Sequence, residues 1–173
     1  MGNLAEHAVT PEAAFDQYSQ SVYRFVYRMT RREDVAEDIA QETFLALVRS
    51  PERWNAARGS MKTYLLAIAR NLVLKRYRDY RAEEQLEEEI GIVPDPRPSL
   101  EIGTAVAGAI AELPGLQQEA VILFEYEGVT LEELAQIVAA DVGTVKSRLH
   151  RARVRLRKSL APYRTGVKAH GTV

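Results

Sequence analysis

Residues 128–160 read GVTLEELAQIVAADVGTVKSRLHRARVRLRKSL, and this stretch decides the fold. Thr130 is a good N-cap and Glu133 stands three residues on, the spacing of a capping box. Leu131, Leu134, Ala135 and Val138 then recur at helical spacing, which predicts a short amphipathic helix. Asp141 is a second N-cap, and Val145, Leu149, Ala152, Leu156 and Leu160 make one apolar stripe after it. The rest of that second helix is basic: residues 142–160 hold seven Lys or Arg and no Asp or Glu. Two short helices and a tight joint, with positive charge on the second, predict a helix-turn-helix. Its leading turns would enter a duplex groove while the arginines reach phosphates, and Gly143 and Thr144 would let a phosphate approach the helix N-terminus. A solvated basic helix in an ordinary bundle is the plainer alternative. It is disfavoured because solvated helices usually mix charge signs, and this one does not.

Upstream, residues 104–128 add Val106, Ile110 and Leu113, then Pro114, then Leu116, Ala120, Val121, Leu123 and Phe124 as a core side closed by Gly128. A small four-helix unit over 104–161 is expected. Before it, residues 82–103 combine one basic and seven acidic residues with Pro94, Pro96 and Pro98, the composition of a linker extended near its prolines. Its first part, 83–90, can continue the helix ahead of it.

The first half of the chain forms another helical unit over 15–81, with 13 basic and 8 acidic residues. Thr10-Pro11-Glu12 starts a helix whose stripe is Phe15, Tyr18, Val22, Phe25, Val26 and Met29. A second helix from about Asp34 buries Val35, Ala36, Ile39, Ala40, Phe44, Leu47 and Val48, and stops at Ser50-Pro51. Its other face shows Asp38, Gln41, Glu42 and Leu45. On spacing alone, a solvated acidic face and a docking surface for a basic partner are evenly matched. A loop with the chain's single tryptophan, Trp54, leads into residues 63–81, where Tyr64, Tyr77 and Tyr80 alternate with Arg70, Lys75, Arg76, Arg78 and Arg81. Rings among basic groups suit single-stranded nucleic acid, whose bases stack at roughly 1–3 kcal/mol each. For Tyr64 a core role is the better reading; for Tyr77 and Tyr80 the two readings are even.

Composition narrows the function classes. The 173 residues carry no cysteine and three scattered histidines, so disulfides and thiolate or histidine-rich metal sites are not expected. No catalytic constellation accompanies the carboxylates, so neither an enzyme nor a cofactor is expected. No apolar run approaches a membrane span and no secretion signal is visible, which predicts a cytoplasmic protein without membrane insertion. The net charge of −1 hides two positive blocks around an acidic spacer, as in two nucleic-acid-facing modules.

Taken together, AEDIAQETF (36–44), RGSMKTYLLAIARN (58–71), LPGLQQEAVILFEYEGVTLEELA (113–135) and VGTVKSRLHRAR (142–153) resemble the bacterial sigma factors of extracytoplasmic-function type. The resemblance runs from about residue 15 to 160. It implies an all-α chain of two small helical domains, the second a helix-turn-helix, that binds core RNA polymerase and directs promoter-specific initiation. The acidic helix face would dock on the polymerase through Asp38, Gln41 and Glu42. Arg58, Ser60, Lys62, Arg70, Asn71 and Lys75 would take the melted downstream promoter element. Thr144, Lys146, Ser147, Arg148, His150, Arg151, Arg153 and Arg155 would serve the duplex upstream element. An anti-sigma factor is a further implied partner. Two departures stand out: the family often has tryptophan where Tyr64 stands, and usually glycine where Ala139 stands. The competing reading is a stand-alone helix-turn-helix regulator that needs no polymerase. The expected division is a tail at 1–14, modules at 15–81 and 104–161, a linker at 82–103 and a tail at 162–173.

Overall fold

The computed structural model describes residues 10–84 and 102–163, and every regular element among them is helical. Most of the expected linker, residues 85–101, and most of the two end tails lie outside the described residues.

Helix α1 (Pro11–Thr30) starts where expected: the Thr10 hydroxyl accepts from the Ala13 N–H at 3.2 Å and Pro11 occupies the first turn. It ends at Arg31, which adopts φ 58° and donates its N–H to the Tyr27 carbonyl. Helix α2 (Glu33–Arg49) has no side-chain cap, but Glu33 and Asp34 place negative charge at the positive end of its dipole. Ser50 ends it ahead of Pro51, and a single 3-10 turn (Pro51–Arg53) leads to the Trp54 loop. Helix α3 (Met61–Glu84) is the longest, so the part of 83–90 that is described does continue it.

These three helices bury Phe25, Val26, Ile39, Leu47, Leu65, Leu66, Ala69 and Val73 between them. Helix α3 buries Leu65, Leu66, Ala69 and Val73 fully and leaves Ile68 and Leu72 half-buried. Phe15 and Val48, expected in the core, are 51% and 57% exposed. Each sits on the edge of its stripe, where periodicity points inward but no third helix arrives to cover it. Phe15 settles for an edge-on contact with Phe44, with ring centroids 5.0 Å apart. Tyr77 is exposed at its ring, yet its hydroxyl donates to the Met29 carbonyl at 2.8 Å and ties α3 to the end of α1.

The second module comprises α4 (Ile102–Ala111), α5 (Gly115–Val121), a π-helical turn (Ile122–Tyr126), α6 (Leu131–Ile137) and α7 (Val142–Ser159). In the π turn the Glu127 N–H reaches back to the Ile122 carbonyl at 3.1 Å. The extra residue rotates the end of the segment, so Ile122 and Leu123 are fully buried while Phe124 is only half-buried. Leu116, also expected in the core, is 52% exposed because the first turn of α5 borders an open groove. Gly128 takes φ 66° and ends the segment as its type allows.

The helix-turn-helix forms as its caps predict. Thr130 and Glu133 complete the capping box of α6 in both directions, at 3.1 and 2.9 Å. Between α6 and α7 the chain turns through Ala139 at φ 51°, the left-handed region in which the family usually has glycine. The two modules also pack on each other, α6 against α3 and the π turn against α1, and their buried apolar side chains form one continuous cluster.

Candidate nucleic-acid and docking surfaces

Helix α7 is seated by Val145, Leu149 and Ala152, which are buried against the rest of the module. That leaves Lys146, Ser147, His150, Arg151 and Arg155 exposed on its open sides, with Arg148 half-buried among them. Its N-cap, Asp141, accepts from the Thr144 hydroxyl at 2.6 Å and from the Thr144 N–H at 2.8 Å. These two bonds, the hydroxyl first, hold the Asp141 carboxyl below its ordinary range. Thr144 therefore spends its hydroxyl proton inside the cap and keeps only acceptor lone pairs for anything outside it.

An open groove of about 720 Å³ runs between the start of α5 and the start of α7, lined by Gly115, Gln117, Thr144, Ser147, Arg148 and Arg151. Arg148 Nη1 and Gln117 Oε1 are buried without a hydrogen-bond partner among the described residues. An unpaired guanidinium nitrogen beside such a groove is a donor waiting for an acceptor. Arg153, two turns beyond Lys146, is differently employed: Nε and Nη2 donate to Glu125 at 3.3 and 2.7 Å, and the guanidinium lies 5.7 Å from the Phe124 ring.

The residues expected to meet the melted strand divide in two. Arg58, Asn71 and Lys75 are exposed. Ser60, Lys62 and Arg70 are instead engaged by the second module. Ser60 and Thr63 hydroxyls donate to Glu133 Oε1 at 3.2 and 2.9 Å. Lys62 Nζ donates to the Glu127 carbonyl. Arg70 holds the Glu119 carboxylate through Nε and Nη2, with 12% and 3% of the two side chains exposed.

Glu127 is the centre of this junction. Its carboxylate, 2% exposed, accepts from the Ser21 hydroxyl at 2.5 Å and from Arg28 Nη1 at 3.1 Å. The Arg28 guanidinium also lies 4.5 Å from the ring centroid of Tyr126. Sequence reading missed Ser21, Arg28, Thr63, Glu119 and Glu127. The available signal was the run from 104 to 145, which holds seven acidic residues and no Lys or Arg. A half-module of one charge sign beside another of the opposite sign invites contact.

On the far side of the first module α2 exposes Asp38, Gln41 and Glu42 together with Leu45 and Val48, 47% and 57% exposed. Asp38 lies 3.6 Å from Arg76, both more than half-exposed, which links α2 to α3 without burying either charge. Large exposed apolar side chains interleaved with carboxylates suit a protein partner better than solvent.

Among the described residues no three His, Cys, Asp or Glu side chains are grouped to hold a metal ion. No helix among them is long and apolar enough to cross a membrane.

Comparison with known proteins places these surfaces in a larger group. The sigma-70 region 2 profile matches residues 14–83, and the sigma-70 region 4 profile matches residues 104–156. The extracytoplasmic-function RNA polymerase sigma factor SigE of Mycolicibacterium smegmatis is 35% identical over 156 residues, covering 85% of this chain and 60% of that protein. SigW of Bacillus subtilis, of the same type, is 32% identical over 161 residues, covering 84% of this chain and 86% of that protein. Among solved structures, the sigma factor RpoE of Bartonella quintana, in complex with the anti-sigma factor NepR, superposes with a TM-score of 0.73 at 27% identity. That match covers 87% of this chain and 96% of RpoE. CnrH, solved with the cytosolic domain of CnrY, shares the fold at TM-score 0.68 and 19% identity, over 91% and 92% of the two chains.

Proposed function

The chain belongs to the sigma-70 family, with the build of an extracytoplasmic-function sigma factor, and from that premise we infer that it binds core RNA polymerase and directs promoter-specific initiation. The observation that carries this is the pairing, in order on one chain, of a region 2 module and a region 4 module whose last helix is basic and capped at Asp141. The working units are residues 15–81 and 104–161, joined through 82–103.

The docking surface is the α2 face: Asp38, Gln41 and Glu42 supply charge and hydrogen bonds, and Leu45 and Val48 supply apolar area. Lys146, Ser147, His150 and Arg151 stand where side chains of a recognition helix reach base edges of the upstream element. Arg148 and Arg155 take backbone phosphates, while Thr144, its hydroxyl and N–H held by Asp141, serves that contact by fixing the N-terminus of α7. Arg153 serves the backbone after leaving Glu125, or holds α7 in place through it. Arg58, Asn71 and Lys75 with Ser60, Lys62 and Arg70 capture the melted downstream strand, an extruded base costing a few kcal/mol of unstacking. The chain works by binding alone: it traps strands that open, and performs no covalent step. RpoE is seen with an anti-sigma factor, and we read such a factor as a partner of this chain too, acting in the cytoplasm where polymerase works.

The test is co-elution of the purified chain with sigma-free core polymerase on size exclusion. Asp38→Arg and Glu42→Arg, both at exposed positions, should weaken that co-elution while leaving the helical signal and melting curve unchanged. Duplex binding by the chain alone, without any polymerase complex, would replace this reading with a stand-alone regulator.

A further inference from the structure

Phe124 and Glu125 are neighbours in the π-helical turn, and both meet a single side chain of α7. Arg153 donates from Nε and Nη2 to Glu125 Oε1 at 3.3 and 2.7 Å, and its guanidinium lies 5.7 Å from the Phe124 ring centroid. The two charged side chains are 49% and 47% exposed, and a pair in that much water adds little stability. What it does supply is direction. The side chains that seat α7 on its module, Val145, Leu149 and Ala152, are aliphatic, and apolar packing is non-directional. A contact from two nitrogens, with a ring beside it, resists rotation of the helix about its own axis. Arg153 stands seven residues after Lys146 and three after His150, so the three share one face of α7. Lys146 and His150 are exposed at the leading part of that face, and Arg153 is anchored at its far end. Turns of the π type are rare and concentrate at functional sites.

We propose that Glu125 is a positioning residue for upstream-element recognition: with Phe124 it holds Arg153 away from the DNA backbone and so fixes the roll of α7 that aims Lys146 and His150 at bases. The proposal rests on the reading of α7 as the recognition helix, and it makes Arg153 a strut rather than a phosphate contact. The electrostatics point the same way. A guanidinium that already faces a carboxylate has its charge matched, so a phosphate laid beside it releases no counterion and adds nothing to the salt dependence of binding. Arg155 is exposed on another face of the helix and keeps the backbone role.

The experiment uses the complex of the full chain with core polymerase and a library of duplexes randomised across the upstream element, sequenced in the bound and unbound fractions. The slope of log affinity against log salt is then measured on the most enriched duplex. Arg153→Ala should flatten base preference about fivefold, the low end of what one base contact discriminates, at positions that Lys146→Ala or His150→Ala also flattens. Its salt slope should stay at the wild-type value. Glu125→Gln should flatten the same positions and steepen the slope by about 0.9, because the freed Arg153 now reaches a phosphate. The exchange Glu125→Arg with Arg153→Glu should bring the preference back, which a mere loss of stability would not allow. A slope about 1 lower in Arg153→Ala, with an even loss across sequences, makes Arg153 a phosphate contact and overturns the proposal. Unchanged preference in Glu125→Gln overturns it too, as does an exchange that recovers nothing. A wild-type complex without any upstream preference overturns the reading of α7 itself, and the proposal with it.

Discussion

Arg70 and Glu119 lie in different modules, 49 positions apart, and face each other as a fork on a carboxylate with almost no solvent between them. Removing one side of a buried pair strands the other charge, which typically costs about 3–5 kcal/mol. Arg70→Ala is therefore expected to lower stability by about 3 kcal/mol in urea denaturation. A loss below about 0.5 kcal/mol, the size of a surface substitution, would mean that the pair is already open in solution.

Ala139 at φ 51° holds a conformation that costs an L-residue roughly 1–2 kcal/mol. Ala139→Gly relieves that strain but loosens the unfolded chain, for a net gain of about 1 kcal/mol. The midpoint of chemical denaturation should rise with an unchanged slope. Upstream promoter affinity should not fall, because the joint already has the geometry glycine would choose.

The capping box of α6 reaches beyond its own helix, since Glu133 also accepts from Ser60 and Thr63. Thr130→Ala should cost about 1 kcal/mol through the lost cap. The Thr130 N–H foremost, with the Thr63 and Ser60 hydroxyls, holds the Glu133 carboxyl below its ordinary value. A depressed folded value means stability that is present above the ordinary carboxylate range, about 4.3, and lost as pH falls through the folded value. Melting curves of wild type and Glu133→Gln should therefore differ at neutral pH and converge in acid below about pH 4. A constant gap over that range would remove the carboxylate from the account.

Base-reading and phosphate-holding residues on α7 should separate by sequence and by salt. Lys146→Ala and Arg151→Ala should reduce promoter use unevenly, with single upstream base changes shifting the loss by roughly 1–3 kcal/mol. Arg155→Ala should weaken binding evenly across sequences and reduce the slope of log affinity against log salt by about 1. Isotherms of the polymerase complex on a panel of upstream variants would make the distinction. Even losses for Lys146 and Arg151 would make them backbone contacts.

What was legible in the sequence was what short-range chemistry decides. Thr10, Thr130 and Asp141 cap because a hydroxyl or carboxylate reaches an N–H two or three residues away, whatever the rest of the chain does. The Ser50-Pro51 stop is equally local. Both halves of the helix-turn-helix and the apolar stripe of α7 come from the same short-range rules. Phe15, Val48 and Leu116 were misplaced because periodicity tells which side of a helix is apolar, not whether anything arrives to cover it. The π turn at Ile122–Tyr126 left no periodic signature and rotated Phe124 out of the place that a regular helix would give it.

The sequence by itself determined an all-helical chain of two basic-faced modules, the second a helix-turn-helix, and offered a set of charged and polar candidates for contact with DNA and polymerase. Caps, stripes and charge runs act over a few residues, and so they can be read in order. Only the tertiary structure decided which of those residues are free. Ser21 and Glu127 are 106 positions apart, and no local pattern announces that a carboxylate from one module will fill the donor set of the other. Burial turns an exposed-looking glutamate into the counter-ion of an arginine, and burial is a property of the packed chain.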